Sequence, residues 1–279
     1  MVSVDRPGSI DELVADARSA GYQIGPRLIT DWVAHGLLDR PKRRPKGRGH
    51  GSDKGEYAAN QRRLFLTLLD KRLTSPHIKS LARIPLFIWL YWGDDYVPTR
   101  QALRAFTTWL GDFRVSKAAA RKATQQFLGQ LDNPQATSAA RRELRDTLTA
   151  AAYCGRIDRE QLRDAVAAVF EPGRSVIHRA IGPVRAPLTT DSIVELIEAR
   201  LGAAQSVVGG DITEQQLSLA RQAHLRHLAE YLNLLPNMTA EVPANLTAAF
   251  SAPTAQTLAN NCGTDLLTVL GLQQRAEEL

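Results

Sequence analysis

Apolar residues near the start of the chain recur at helical spacing and predict two short helices joined by a glycine-containing link. Ser9 and Glu12 have the S-x-x-E spacing of a capping box, and the apolar residues that follow keep to one helix face. The second helix is expected to begin at Pro26 and to end at His35 and Gly36, where glycine permits a left-handed stop. Two short helices with a tight link are typical of a helix-turn-helix.

The segment that follows the second helix has no apolar residues from which a core can be built. Residues 40–54, called here the basic segment, hold seven Lys or Arg, one Asp, three Gly and two Pro. Because Leu37 and Leu38 precede it and Tyr57 follows it, the segment is expected to form a hairpin anchored at its base. Its guanidinium groups would lie on phosphates or in a minor groove.

Helical patterns continue to the end of the chain, so the fold class is predicted to be mainly α. Asp158, Asp191 and Thr213 are expected N-caps, and breaks are expected at residues 209–210 and 235–237. The later helices are expected over residues 60–73, 77–82, 99–110, 115–131, 136–153, 158–170, 191–205, 214–235 and 254–274. An apolar stretch at 84–92 follows the helix at 77–82.

The domain organisation is predicted in three parts. Residues 1–80 form a winged helix-turn-helix domain, residues 81–132 a helical connector, and residues 133–279 a helical domain for dimerisation, partner contact or effector sensing. Leucines at 225, 228, 232 and 235 have a 3-4-3 spacing, which indicates packing against another helix. That helix belongs either to the same chain or to the second copy of a homodimer. The sequence identifies no small-molecule effector.

Residues 9–72 resemble the winged helix-turn-helix of MerR-type regulators and of the related excisionase-like DNA-binding domains. The matching runs are Ile10-Asp-Glu-Leu-Val, Ile29-Thr-Asp-Trp-Val-Ala-His-Gly-Leu-Leu38 and Tyr57-Ala-Ala-Asn-Gln-Arg-Arg-Leu64. The resemblance implies that the second helix enters the major groove. It also implies that Arg27 contacts DNA and that Trp32 replaces a backbone-contacting tyrosine. Thr30 stands where the family commonly has arginine, and no metal-binding cysteine follows the basic segment.

The expected DNA-binding residues combine the exposed face of the second helix with the basic segment. Asp31 would repel the phosphates unless its carboxylate accepts from cytosine or pairs with an arginine, and a pair with an arginine is the expected role. Trp32 and Tyr57 have two open roles, a place in the core or a phosphate contact. The full expected set is Arg27, Thr30, Asp31, Trp32, Arg40, Lys42, Arg43, Arg44, Lys46, Arg48 and Tyr57.

Charge is distributed unevenly along the 279 residues, which have a net charge of +6. Residues 1–124 hold 22 Lys or Arg against 12 Asp or Glu, a balance of +10. Residues 125–279 hold 13 against 17, a balance of −4, and the two parts together give +6. A basic first half favours a polyanionic partner, and double-stranded DNA is the partner expected here.

Several classes of protein are disfavoured. There is no G-x-G-x-x-G after a strand, no phosphate-binding loop, no H-E-x-x-H and no G-x-S-x-G, so no enzyme, cofactor or metal is expected. Two cysteines are too few for a disulfide framework. The first twenty residues contain four acidic residues and no apolar core, and the apolar run at 84–92 is shorter than the roughly 20 residues a membrane span needs. A cytoplasmic, nucleoid-associated location without membrane contact is expected.

The function expected from these patterns is that of a sequence-specific DNA-binding transcriptional regulator of MerR-like type. A first alternative is an architectural accessory factor, excisionase-like or active in plasmid or phage maintenance, that bends DNA. A second alternative is a helical interaction protein whose basic segment binds RNA or an acidic partner.

Overall fold

Helices make up nearly all the regular structure of the protein in a computed structural model. The structure describes residues 4–43, 55–129, 131, 136–171, 189–240 and 251–277. Within these ranges the strands are β1 (Gly8–Ser9) and β2 (Glu56–Tyr57), which pair antiparallel. The helices are α1 (Ile10–Ser19), α2 (Pro26–Ala34), α3 (Ala59–Thr74), α4 (Ile78–Trp92), α5 (Thr99–Leu110), α6 (Lys117–Leu128), α7 (Ser138–Cys154), α8 (Arg159–Phe170), α9 (Thr190–Gly209), α10 (Glu214–Ala240) and α11 (Ala255–Glu277). The prediction of a mainly α protein is confirmed.

Most helix ends follow from local hydrogen bonding. Ser9 and Glu12 form the expected capping box, in which the Ser9 amide donates to Glu12 Oε2 at 2.7 Å. Asp158 caps α8 by accepting a hydrogen bond from the Gln161 amide at 3.1 Å. The cap expected at Asp191 is wrong, because α9 begins earlier and Thr189 accepts the capping bond. Side-chain oxygens at these positions satisfy amides that have no partner inside the helix.

Two helices continue through proline. The expected helix at 77–82 and the apolar stretch at 84–92 form the single helix α4, with Pro85 inside it. Proline in a helix interior costs about 3 kcal/mol or more, and burial of apolar side chains such as Leu86 and Trp89 offsets that cost. The break expected at 235–237 is wrong, because α10 includes Pro236. Pro236 is exposed, so water can hydrate the carbonyl group that loses its helical bond.

The chain divides into two compact units, and each unit is assembled from two separate segments. The first unit comprises Met1–Trp109 and Leu217–Gly263, and the second comprises Leu110–Gln216 and Thr264–Leu279. These limits differ from the expected boundaries at 80 and 132. Helices α4 and α5 belong to the same unit as α1 to α3, and so does most of α10.

Each unit has its own apolar core. In the second unit, α6, α7, α8 and α9 pack successively, and the buried residues include Leu148, Val166, Ile193 and Ile197. In the first unit the largest buried side chains are Leu13, Ile29, Trp32, Leu37, Leu38, Phe65, Leu68, Leu81, Trp89 and Phe106. The leucine stripe expected on α10 is only partly covered, since 41% of Leu232 is exposed.

Candidate nucleic-acid interface

Helix α2 presents a polar face to solvent over a buried apolar face. Ile29 and Trp32 are buried, whereas Arg27, Thr30 and Asp31 are exposed, as the helical period requires. Thr30 Oγ1 donates to the Pro26 carbonyl at 3.3 Å, which uses its hydroxyl proton within the helix. The exposed face therefore offers the Arg27 guanidinium and the Asp31 carboxylate as its charged groups.

A glycine ends α2 where the chain turns toward the basic segment. Gly36 has a φ of +70°, a left-handed conformation that glycine adopts without steric cost. A Cβ atom at Gly36 would also collide with the backbone of Ala105 and Arg104 on α5. The expected left-handed stop at Gly36 is confirmed, and close packing against α5 is a second reason for glycine at this position.

The two aromatic residues expected near DNA are in the core. Trp32 is 1% exposed, and its ring meets that of Phe65 edge-on at a centroid distance of 5.7 Å. Tyr57 is 4% exposed, and burial raises the pKa of its hydroxyl. Of the two roles left open by the sequence, the structure supports packing. A side chain so fully covered has little surface for a phosphate contact, so Trp32 and Tyr57 are removed from the candidate contact set.

The two ends of the basic segment are held together by backbone hydrogen bonds. The Lys42 amide donates to the Glu56 carbonyl at 2.8 Å, and the Glu56 amide donates back to the Lys42 carbonyl at 2.9 Å. Such a reciprocal pair is the antiparallel arrangement that closes the base of a hairpin. Arg40, Lys42 and Arg43 are exposed here. Arg44, Lys46 and Arg48 lie outside the described residues.

A buried carboxylate fixes the chain immediately before the basic segment. Asp39 is 5% exposed and accepts from Arg100 at 3.1 Å (Nε to Oδ1) and 2.7 Å (Nη2 to Oδ2). Arg104 Nη2 approaches Asp39 Oδ1 at 3.4 Å. Burial alone would raise the pKa of Asp39, but the hydrogen bond from Arg100 and the charges of both arginines outweigh it and lower the pKa. Asp39 is therefore ionised at neutral pH and ties this chain segment to α5.

Two glutamine side chains extend this anchor through the core of the first unit. Gln61 Oε1 accepts from the Asp39 amide at 2.8 Å, and Gln61 Nε2 donates to Gln101 Oε1 at 2.8 Å. Gln101 Nε2 in turn donates to the Leu37 carbonyl at 3.0 Å. Both glutamines are almost fully buried, with 3% and 0% exposure. The network joins the exit of α2 to α3 and α5 and so sets the direction in which the basic segment leaves.

A buried ion pair holds α1 against α3. Arg62 donates to Asp16 with Nε at 2.8 Å and Nη2 at 2.9 Å, and the side chains of both residues are almost fully covered. Arg62 Nη1 also donates to the Arg6 carbonyl at 2.9 Å. A bidentate pair of this kind is short and directional. The pair fixes α1 relative to α3, the helix on which α2 packs through Trp32 and Phe65.

The expected pairing of Asp31 is not found. Within the described ranges the Asp31 carboxylate has no ion-pair partner, and its side chain is exposed on α2. The paired acid of this region is Asp39, which the sequence-based site set did not include. Arg100 and Arg104 were also missed, because a contact between residues 61 and 65 positions apart leaves no local pattern.

A usable sequence signal existed for Gln61. It lies three and four positions before Leu64 and Phe65, which are both buried, so it shares their helix face. A glutamine on an otherwise apolar face requires buried hydrogen-bonding partners, and here these partners mark the base of the candidate interface.

Comparisons with known proteins complete the description. No helix in the described ranges combines the length and the apolar character that crossing a membrane requires. No family model, no curated protein and no solved structure matches this chain.

Proposed function

We propose that this protein binds double-stranded DNA through the exposed face of α2 and the basic segment, and that it acts as a sequence-specific transcriptional regulator. The observation that carries the proposal is the reciprocal Lys42–Glu56 hydrogen-bonded pair directly after α2. Between these two residues the chain carries Arg43, Arg44, Lys46, Arg48 and Lys54. A run of cations that follows an exposed polar helix face in the sequence suits phosphate contacts beside a major groove.

The two surfaces have different roles in this proposal. Arg27 and Asp31 on α2 are able to contact base edges, since arginine donates to guanine and a carboxylate accepts from cytosine. The basic segment supplies attraction to phosphates, which carries no sequence information but dominates affinity. The buried Asp39 network holds the chain between α2 and the start of the basic segment.

A charge-matched pair of variants tests the basic segment. The first is Arg43→Ala/Arg44→Ala/Lys46→Ala/Arg48→Ala. The control, Lys117→Ala/Lys122→Ala/Arg142→Ala/Arg156→Ala, removes the same charge from exposed positions of the second unit. Affinity for duplex DNA is measured by fluorescence anisotropy between 50 and 300 mM salt. If all four residues contact phosphates, the slope of log K against log salt becomes shallower by about 3 to 4 in the first variant only.

Selection of genomic fragments by the purified protein tests specificity. Enrichment of a common sequence supports a regulator, and loss of that enrichment in Arg27→Ala places the readout on α2. Equal affinity of both four-residue variants for DNA contradicts the proposal. Equal affinity of the native protein for RNA and duplex DNA supports the RNA-binding alternative, and strong bending of the bound fragment supports the architectural one.

A further inference from the structure

A cavity of about 890 Å³ lies within the second unit. Its volume is within the range of about 300–1,000 Å³ that is usual for small-molecule sites. Its lining residues include three arginines, Arg114, Arg159 and Arg275, together with Glu198 and Asp211. Three positive against two negative charges give the wall a net charge of +1.

The arginines exceed the acceptors available to them. Glu198 accepts from Arg159 Nη1 at 2.7 Å and from Arg275 Nη1 at 2.9 Å, and its side chain is 10% exposed. Glu195 Oε1 also lies 3.9 Å from Arg159 Nη2. Each guanidinium carries five N–H donors, so these carboxylates still leave several donors on the two arginines for another acceptor. Within the described part of the chain, the Arg114 guanidinium has no ion pair or hydrogen bond.

Small residues keep the cavity open. Gly271 on α11 packs so closely that a Cβ atom there would collide with the Ala199 carbonyl group on α9. At Gly202, one turn further along α9, a Cβ would have no heavy atom of the described residues within 4 Å, apart from its chain neighbours and the backbone of its own helix. Gly202 therefore borders open space, and its lack of a side chain preserves volume.

We propose that this cavity binds a small organic oxyanion. Its phosphate or carboxylate group is held by Arg114, Arg159 and Arg275, because the planar guanidinium fork matches both groups. Glu198 holds two of these arginines in place before the ligand arrives, and it competes with the ligand for their donors. Gln205 and Gln274 line the same cavity and supply amide groups for the remainder of the molecule. This site is independent of the proposed DNA interface, since all its residues belong to the second unit.

Isothermal titration calorimetry on the full chain tests the proposal with three probes. Citrate supplies carboxylates, AMP supplies a phosphate, and adenosine is the uncharged counterpart of AMP. The native protein is expected to bind at least one of the anions and not adenosine. Absence of binding by both anions, or equal binding of AMP and adenosine, overturns the proposal.

Three variants and a control locate the binding. Gly202→Leu fills the cavity and is expected to abolish binding without removing any charge. Arg275→Gln is expected to weaken binding by about tenfold, or 1.4 kcal/mol. Glu198→Gln is expected to tighten binding, because the acceptor that competes with the ligand for two guanidinium groups loses its negative charge. Arg163→Gln removes an exposed arginine outside the cavity lining and is expected to leave binding unchanged. Native binding in Gly202→Leu, or weakened binding in Glu198→Gln, overturns the assignment.

Discussion

The Arg100 guanidinium donates two hydrogen bonds to the Asp39 carboxylate, one from each of two nitrogens. These hydrogen bonds join Asp39, the last residue before the basic segment, to α5. The Asp39 side chain is 7% exposed while that of Arg100 is 47% exposed, so the pair has one covered and one hydrated partner. Removing the covered charge leaves Arg104, whose side chain is 22% exposed, with the Leu38 carbonyl as an acceptor but without its carboxylate partner.

Asp39→Asn tests this anchor while preserving side-chain shape. We expect a loss of about 1–3 kcal/mol in the free energy of unfolding, measured with urea, because the two arginines lose a buried charged partner. The control is Asp31→Asn, which changes an exposed acid and is expected to alter stability by about 0.5 kcal/mol or less. Equal stability of the two variants would contradict the anchoring role of Asp39.

Arg62→Ala is expected to be among the most destabilising single changes in the first unit. It leaves Asp16 charged and buried, for which the usual loss is about 3–5 kcal/mol. The neighbouring Arg63→Ala is a matched control, because the Arg63–Asp5 pair has side chains that are 61% and 71% exposed. Its expected effect is about 1 kcal/mol or less. Chemical denaturation of both variants measures the difference, and similar losses would argue against a structural role for the Arg62–Asp16 pair.

Gly36→Ala separates backbone strain from collision. Both Gly36 and Gly21 have positive φ, so alanine at either position costs about 1–2 kcal/mol. At Gly36 the added Cβ meets the α5 backbone, whereas at Gly21 no heavy atom of the described residues, apart from the chain neighbours, lies within 4 Å of a Cβ. We therefore expect Gly36→Ala to lower the melting temperature clearly more than Gly21→Ala. Equal effects would show that α5 adjusts to the extra atom.

His224 makes the stability of the first unit sensitive to acid. Burial, together with the charge of His227, lowers the pKa of His224 to about 4, and its Nε2 lies 3.1 Å from the Tyr91 hydroxyl. Because this pKa is lower in the folded chain than in the unfolded chain, the contribution of neutral His224 to the free energy of unfolding is fully present above pH 6.5. This contribution is lost as the pH falls toward 4, by up to about 3 kcal/mol.

His224→Gln removes this titration and is expected to flatten the dependence of the unfolding free energy on pH between 6.5 and 4. The control is His77→Gln, which replaces an exposed histidine and is expected to keep the native pH profile. Urea denaturation at half-unit pH intervals measures both. An unchanged profile in His224→Gln would mean that other groups cause the acid sensitivity.

Local rules predicted the helices that frame the candidate interface, whereas long-range contacts were not predicted. The capping box of Ser9 and Glu12 and the left-handed stop at Gly36 involve only residues close in sequence, and the structure confirms both. Asp39 acts through Arg100, which is 61 positions away, and nothing in the spacing of either residue indicates the pair. A break was expected at Pro236, but α10 continues through it because Pro236 is exposed to water. The helix expected at 77–82 continues through Pro85 because tertiary packing buries the apolar side chains around it.

The basic character of residues 40–54 was evident from composition, while the placement of Trp32 was decided by packing against Phe65. An aromatic residue at the centre of a short helix fits a core and a phosphate contact equally well by spacing alone. The cavity of the second unit left no sequence signal, because Arg114, Arg159 and Arg275 are spread over 162 positions of the chain.

The interleaving of the two units has a consequence for synthesis on the ribosome. The first unit contains residues up to Gly263, so it is complete only after residue 263 has been added. The second unit begins at Leu110, and its last segment is the sixteen residues from Thr264 to Leu279. While α6 to α9 are synthesised, α1 to α5 therefore lack their packing partners from Leu217–Gly263. Helices depend mainly on local contacts, so each early helix can form before its distant packing partners are synthesised. The helical fold therefore tolerates this delay.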